Sequence, residues 1–400
     1  MSAVKMCDGV YWVGAIDWGI RNFHGYSTHR GTTYNAFLVM ADRVTLVDTV
    51  KEPFFDEMMS RIRSVTDPAS IDTLVSNHSE MDHSGCIPRT VGAVSPDRIV
   101  ASKNGKKALF EHFGELPGEV EPVSDGGEIS LGDMNLRFYE TKMLHWPDSM
   151  VSFLPQRKVL FSQDGFGMHL ASTERFDDQL PLDVLWLEAA RYYANILLPF
   201  SPLVLRLAGK LSELDLDVEL LCPDHGPAWR ENIGGIIGRW ASWARQTPSL
   251  KAVVVYDSMW GSTERMARAV EDGLVESRIA VRSMPLGSSN RSDIATEVLD
   301  AGALVVGSPT MNNQPFPTLA DCLTYLKGLK PRNLTGAAFG SYGWSGEAVK
   351  IIEEQLGQMG VELVSEGVRT LYVPDRQALL QCKSLGRSIG DRLHELCEAQ

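Results

Sequence analysis

No C-x-x-C pair occurs in this 400-residue sequence, whose six cysteines (Cys7, Cys86, Cys222, Cys322, Cys382 and Cys397) are scattered along the chain. That spacing excludes a disulfide framework, a zinc ribbon and an appended iron–thiolate module, so any metal must be held by histidine and carboxylate. The thiols read as reduced, as expected of a cytoplasmic protein. No apolar run approaches the roughly 18 residues of a spanning helix, so no membrane partner is expected. The opening stretch, MSAVKMCDGVYWVGAIDWG, lacks the basic segment and apolar core of an export signal. Positive charge is also scarce. Against 51 Asp and Glu there are 38 Lys and Arg, a net charge of −13 that opposes docking on phosphate backbones and argues against nucleic acid as a partner.

What is present is a globular composition, 44% hydrophobic and 22% charged. The length exceeds one ordinary core, so two domains are expected. The two halves follow different patterns. From about residue 250, KAVVVYDS, IAVRSMPL, ALVVGSPT and GAAFGSYG read as strands separated by helical stretches. In TERMARAVEDGLVESR, Met266, Val270 and Leu274 recur at helical spacing. Strand–helix alternation predicts a doubly wound parallel sheet covered on both faces. In the first half, YWVGAID, TYNAFLVMADRVTLVDTV, MNLRFYET and MVSFLPQRKVLFSQD lie close together like hairpins, with helical patterns at FFDEMMSRIRSV and SKNGKKALFEHF. That order predicts two packed sheets with helices outside, an αββα sandwich. The change of pattern falls at the polar stretch in WARQTPSLKAVVV, giving domains at 1–248 and 249–400.

Ligand-type side chains gather in the first half. HSEMDHSG holds His78, Glu80, Asp82 and His83 just after the apolar run of IDTLVS. If the backbone stays extended, positions 78, 80 and 82 share one side. A polar loop whose Asp82 caps the next helix would explain this segment alone. Three more junctions weaken that explanation: His145 in MLHWPDSM, Asp164 in LFSQDGFG and His225 in LLCPDHGPAW each follow an apolar, strand-like stretch. Asp224, beside His225, reads as a residue that shapes the turn.

A second candidate site lies in the other half. VVVYDSMWGSTERMA places a hydroxyl- and glycine-bearing loop between a strand and a helix, where backbone N–H groups and the helix dipole favour a phosphate. It has no lysine for a triphosphate and is not G-x-G-x-x-G, so it suits a monophosphate. GSPTMNNQ and GSYGWSG follow later strands of the same sheet, whose carboxyl ends form the expected ligand edge. The candidate contacts are Ser258, Met259, Trp260, Gly261, Ser262 and Thr263 in the first loop and Pro309, Thr310, Asn312 and Asn313 in the second. The third loop contributes Ser341, Tyr342, Gly343, Trp344 and Gly346, with Trp260 and Trp344 flanking a flat ring. Together the three loops resemble a flavodoxin domain that binds FMN.

The order His78-x-Glu80-x-Asp82-His83, His145, Asp164, His225 resembles the binuclear site of the metallo-β-lactamase fold. That superfamily usually carries H-x-H-x-D-H. Glu80 in place of the second histidine makes the site harder and favours iron or manganese over zinc. The departure, with HWPDSM and PDHG, resembles the flavodiiron proteins. The resemblance implies one iron on His78, Glu80 and His145, a second on Asp82, His83 and His225, and Asp164 as the bridge. It also implies His24 and Tyr192 or Tyr193, with Tyr193 the chosen candidate, as proton donors or hydrogen-bonding groups at the pocket. The implied function is an oxidoreductase that reduces O2 to water and/or NO to N2O through FMN and two irons. The implied donor is rubredoxin-like, and the implied assembly is a head-to-tail homodimer or a dimer of dimers. Two alternatives remain open at this point: a binuclear metal hydrolase with a flavodoxin-like appendage, and an FMN electron carrier with a structural partner.

Overall fold

The apolar runs of the first half build two sheets. In one, β1 (Val4–Cys7), β2 (Val10–Trp12), β3 (Phe37–Val39), β4 (Val44–Val47), β5 (Ile71–Ser76), β6 (Arg98–Ser102) and β7 (Val120–Val123) lie in that order. Strands β1 to β4 run antiparallel to their neighbours, and β4 to β7 run parallel. The other sheet holds β8 (Glu128–Ser130), β9 (Asn135–Glu140), β10 (Met150–Leu154), β11 (Val159–Gln163) and β12 (Leu220–Pro223), with only the β11–β12 pair parallel. The computed structural model describes residues 1–214 and 216–399 of the chain, the side chains of 211–213 excepted.

Strand alternation sorts the core into layers. Val47, Val75 and Val100 point between the sheets, against Phe138, Leu154, Phe161 and Cys222. Their neighbours Leu46, Leu74 and Ile99 point outward against Met58 and Ile62 of α1 (Phe55–Arg63). A short helix, α2 (Met81–Ser84), precedes α3 (Ile87–Val94) and α4 (Lys103–Phe113), which cover the same face with Val91 and Leu109. The far side of the second sheet carries Tyr139, Phe153 and Leu160, packed by Leu214 and Val218. The αββα sandwich expected from the sequence is present, and the site loops leave the carboxyl ends of β5, β11 and β12.

In the second half β13 (Lys251–Tyr256), β14 (Ala280–Pro285), β15 (Ala303–Gly307) and β16 (Thr335–Tyr342) form a parallel sheet in the order β14-β13-β15-β16. Strands β17 (Glu362–Leu363) and β18 (Val368–Leu371) both pair with β16. The order reverses at β13 and β15, which opens a crevice at their carboxyl ends. The helices of the first half continue with α5 (Leu182–Tyr192), α6 (Ser201–Leu214) and α7 (Ile233–Arg245); those of the second are α8 (Ser262–Glu276), α9 (Arg291–Val298), α10 (Pro317–Leu329), α11 (Glu347–Gln358) and α12 (Arg376–Glu398). By contacts the chain divides into Met1–Tyr192 with Pro202–Ala241, and Tyr193–Ser201 with Ser242–Gln400. The division thus falls inside α7, and a short segment before α6 joins the second unit. Among the described residues no helix is long and apolar enough to cross a membrane.

Helices α8 and α12 meet where both lack a side chain. A Cβ on Gly386 would overlap the carbonyl oxygen of Val270, and one on Gly273 would overlap that of Lys383. Helix propensity alone would make Gly386→Ala stabilising by about 1 kcal/mol. Overpacking opposes this, and a net loss of about 2 kcal/mol is expected, read as a lower urea midpoint. A raised midpoint would show that the two helices can separate at no cost.

Candidate functional sites

Strand β5 ends at Ser76, and the backbone there is tied down before the first histidine. Asp48 accepts from the Asn77 backbone N–H at 2.7 Å and from its side-chain amide at 2.8 Å, while Ser152 donates to the Asn77 amide oxygen at 2.7 Å. His78 follows, Glu80 keeps extended backbone, and α2 then begins at Met81. The extended geometry expected through Asp82 therefore stops two residues early, at Glu80. Asp82 and His83 reach the site from a helical turn, and the two oxygens of Asp82 cap nothing, being buried without a hydrogen-bond partner. His145 comes from the β9–β10 loop. The register pairs Gln163 with Pro223, so Asp164 and His225 leave adjacent strands together.

The seven side chains converge. Asp164 faces both ways: its Oδ2 lies 3.3 Å from His78 Nε2 and 3.1 Å from His145 Nε2, its Oδ1 3.3 Å from His83 Nε2 and 3.5 Å from His225 Nε2. Glu80 Oε2 is 3.3 Å from the Nε2 atoms of both His78 and His145. Asp82 stands 3.5 Å from His83 Nε2 and 3.2 Å from His225 Nε2. Two metal-sized groups result, His78–Glu80–His145–Asp164 and Asp82–His83–His225.

This constellation is costly without cations. Burial works against every charge in it, yet the carboxylates of Asp148, Glu80 and Asp164 outweigh burial at His78 and push that imidazole up to about 10. Burial is likewise overcome at His83 by Asp82, Asp164 and Asp224, and its imidazole is raised. The imidazoles in turn hold Glu80 and Asp164 below the usual carboxylate range despite burial. Protons here do the work that divalent cations do better. Three carboxylates and four imidazoles, with buried orphaned atoms at His83 Nε2, Asp82 and Asp164 Oδ1, fit a pair of metal ions.

The surrounding residues differ from expectation at two points. His24 Nε2 lies 2.9 Å from Glu80 Oε1, and with its side chain 71% exposed it links the cluster to solvent. Tyr193 is not at the cluster: its hydroxyl bonds Ser201 at 3.1 Å and its ring packs on Trp243. Tyr192 is there instead, with its ring 5.1 Å from His169 and 6.1 Å from His225. Adjacent residues on a helix point about 100° apart, so only one of the pair can face the site. Burial and Asp164 push the Tyr192 hydroxyl well above its ordinary value, so it stays protonated. His169, which sequence reasoning missed, meets His225 edge-on at 4.5 Å between ring centres and shares a 2.7 Å hydrogen bond with Thr32 Oγ1. Its only sequence signal is its place five residues after Asp164. Asp224 shapes its turn through its backbone, which bonds Gln163 and Asn35 at 2.8 Å each, while its side chain points elsewhere.

The second unit carries the other site, a cavity of about 330 Å³ lined by Met259, Trp260, Ser262, Pro309, Thr310, Ser341, Tyr342, Gly343 and Trp344. Tyr372 and Val373 complete it, brought there by the pairing of β18 with β16. Trp260 is 89% exposed and Trp344 87%, two flat surfaces at the rim. Gly261, with φ of 81°, turns the chain into α8, whose N-terminal N–H groups meet the loop. The Glu264 N–H donates to Ser258 Oγ at 3.3 Å, and Thr263 bonds Ser341 at 2.9 Å. Asn312 and Asn313 take positive φ, which bends their loop. Asn313 and Gly346 line a neighbouring polar hollow with Lys350 and Arg369. The hydroxyls, the helix terminus and the flanking indoles fit a monophosphate joined to a flat ring.

Comparison with known proteins agrees with the two-part reading of the chain. Residues 32–226 match the model described as ODP family beta lactamase, and residues 254–384 match flavodoxin. The chain is 44% identical to a nitric oxide reductase of Moorella thermoacetica, over 98% of each chain. The solved rubredoxin oxygen:oxidoreductase from Desulfovibrio gigas superposes with a TM-score of 0.97 at 42% identity, covering 99% of this chain and 100% of that one. A flavodiiron protein from Giardia intestinalis gives 0.96 at 32% identity, covering 100% and 98%.

The His78 shift has a consequence for the metal-free chain. A histidine titrates near 6.5 when unfolded, so its stabilising contribution is complete below that value and is lost as pH rises through about 10. The urea midpoint of chelator-treated protein should fall between about pH 6.5 and 9.5. Metal affinity should rise over the same interval, because protons and cations compete for the same imidazoles. A midpoint that stays level or climbs would mean that His78 is neutral in the metal-free fold.

Proposed function

The chain belongs to the flavodiiron protein family, and from that premise we propose how its residues carry out the reaction. It is an oxidoreductase with FMN and two irons that reduces O2 to water and/or NO to N2O. The reading rests above all on Asp164, whose two oxygens face two separate histidine pairs. When bound, the flavin and the iron pair supply the electron-transfer and gas-reducing chemistry.

The chain supplies geometry and protons. His78, Glu80 and His145 would hold one iron and Asp82, His83 and His225 the other, with the Asp164 carboxylate placed between the two sets. His24, at the solvent side of Glu80, hands protons inward through its Nε2. Tyr192 keeps its hydroxyl proton among the buried groups and offers a hydrogen bond at the cluster. The loop from Ser258 to Thr263 would hold the FMN phosphate, with Trp260 and Trp344 available to flank the ring. Domains at 1–248 and 249–400 are thus a diiron and an FMN domain. A rubredoxin-like donor fits the name carried by the Desulfovibrio gigas relative. With all six cysteines free, the cytoplasm suits the protein.

Electrons cross protein efficiently only over short gaps, and the exposed indoles at the flavin rim invite a covering surface. We propose a head-to-tail homodimer, alone or as a dimer of dimers, in which one subunit's flavin meets its partner's irons.

Asp164→Ala is expected to lose both irons while keeping its flavin, measured by elemental analysis and visible absorbance. Full iron and full activity in that variant would overturn the ligand assignment, and zinc alone in iron-fed protein would favour a hydrolase. Steady-state rates with O2 and with NO from one reduced donor then rank the two gases.

Assembly has a separate test. Ser262→Asp sets a carboxylate against the phosphate and should release FMN while keeping iron. Mixed with Asp164→Ala subunits, it should recover activity that neither variant has alone. Continued inactivity after demonstrated subunit exchange would mean that electron transfer runs within one chain.

A further inference from the structure

Two carboxylates stand behind the imidazoles of the metal centre, on the side away from the shared space. Asp148 is 3% exposed, and its Oδ2 accepts from the Ser79 backbone N–H and the Ser79 hydroxyl, both at 2.7 Å. The same oxygen lies 3.4 Å from His78 Nδ1. Asp224 is 0% exposed, and its Oδ2 lies 3.4 Å from His83 Nδ1. Among the described residues, the Nδ1 atoms of His78 and His83 and both carboxylate oxygens of Asp224 are buried without a hydrogen-bond partner. Orphaned donors thus face carboxylates across a gap slightly longer than a hydrogen bond. A third ring has the same polarity, with His225 Nδ1 2.6 Å from the carbonyl oxygen of Thr33. In all three rings Nδ1 faces out and Nε2 faces the other ligands.

A neutral imidazole carries one N–H, and the nitrogen that carries it cannot bind a metal. An acceptor fixed at Nδ1 therefore chooses Nε2 as the ligand atom and holds the ring plane. We propose that Asp148 and Asp224 are positioning residues, one for each iron, Asp148 acting through His78 and Asp224 through His83. The proposal rests on the ligand assignment given above. The two braces are unequal. Asp148 is clamped by Ser79, and Ser102 donates to its backbone carbonyl at 2.7 Å, so His78 has a rigid backstop. Asp224 is hydrogen-bonded through its backbone alone, and no hydroxyl or N–H clamps its carboxyl among the described residues. Each carboxylate also increases electron donation by its own imidazole, so the effect of losing one belongs to a single iron.

The test uses the full-length, flavin-loaded chain stripped of iron and titrated anaerobically with ⁵⁷Fe(II). Asp148→Ala is expected to weaken only the iron on His78, and Asp224→Ala only the iron on His83, each by roughly 10- to 100-fold. Mössbauer spectra should change in one of two quadrupole doublets, a different one for each variant. Asp148→Asn and Asp224→Asn retain an acceptor oxygen and should restore affinity while still shifting that doublet. They also carry the test if an alanine variant fails to fold. Thermal midpoints of the metal-free variants identify any general loss of structure. The proposal is overturned if the alanine variants bind both irons as the parent does, if both irons weaken together, or if asparagine restores nothing. A parent chain that fails to take two irons would instead overturn the ligand assignment.

Discussion

The molecule's first half is organised around a concentration of buried negative charge. Glu80, Asp82 and Asp164 are buried together, with Asp148 behind them, while burial raises the Asp224 carboxyl well above the usual carboxylate range. Two such charges about 4 Å apart repel by about 4 kcal/mol at an effective dielectric near 20. Imidazoles are the charged partners of Glu80, Asp82 and Asp164 among the described residues. Four imidazoles separate the carboxylates and turn ring nitrogens toward the same space. The remaining architecture is what such a cluster requires. It needs strand ends in register at β11 and β12, a loop after β5 braced by Asp48 and Asn77, and two sheets whose apolar interior keeps the groups from relaxing into solvent.

The second unit solves the opposite problem. Its pocket offers neutral hydroxyls, backbone groups and a helix terminus, with aromatic surfaces at the rim. Such a site binds a cofactor without burying protein charge, and it leaves a ring edge open for electron exchange. The chain thus pairs an enclosed, highly polar metal centre with an open, weakly charged flavin site. Division of labour follows from that contrast, with gas and protons handled in one unit and electrons received in the other.

Much of this was legible because the chemistry crowds short stretches of sequence. His78, Glu80, Asp82 and His83 occupy six positions, and His145, Asp164 and His225 each follow an apolar run, so their convergence could be read without coordinates. Residues that act through tertiary position were not legible. His169 reaches His225 only because the turn after β11 folds back toward Thr32. Tyr192 and Tyr193 are neighbours with equal chemistry, and the rotation of one helix residue decides which faces the site. Asp224 resembles any acid in a Pro-Gly turn until His83 is placed against it. Tyr372 and Val373 enter the flavin pocket through the pairing of β18 with β16, which no local pattern announces. Helix α2 interrupts the extended run at Met81 because the chain must turn to bring His83 beside His225.

The central claim is that this buried charge exists to hold two irons bridged by Asp164. Anomalous diffraction at the iron edge, on crystals of protein purified without oxygen, tests it most directly. The account predicts two peaks, one among His78, Glu80 and His145 and one among Asp82, His83 and His225, with the Asp164 carboxylate between them. A single peak, or peaks away from these residues, would contradict it.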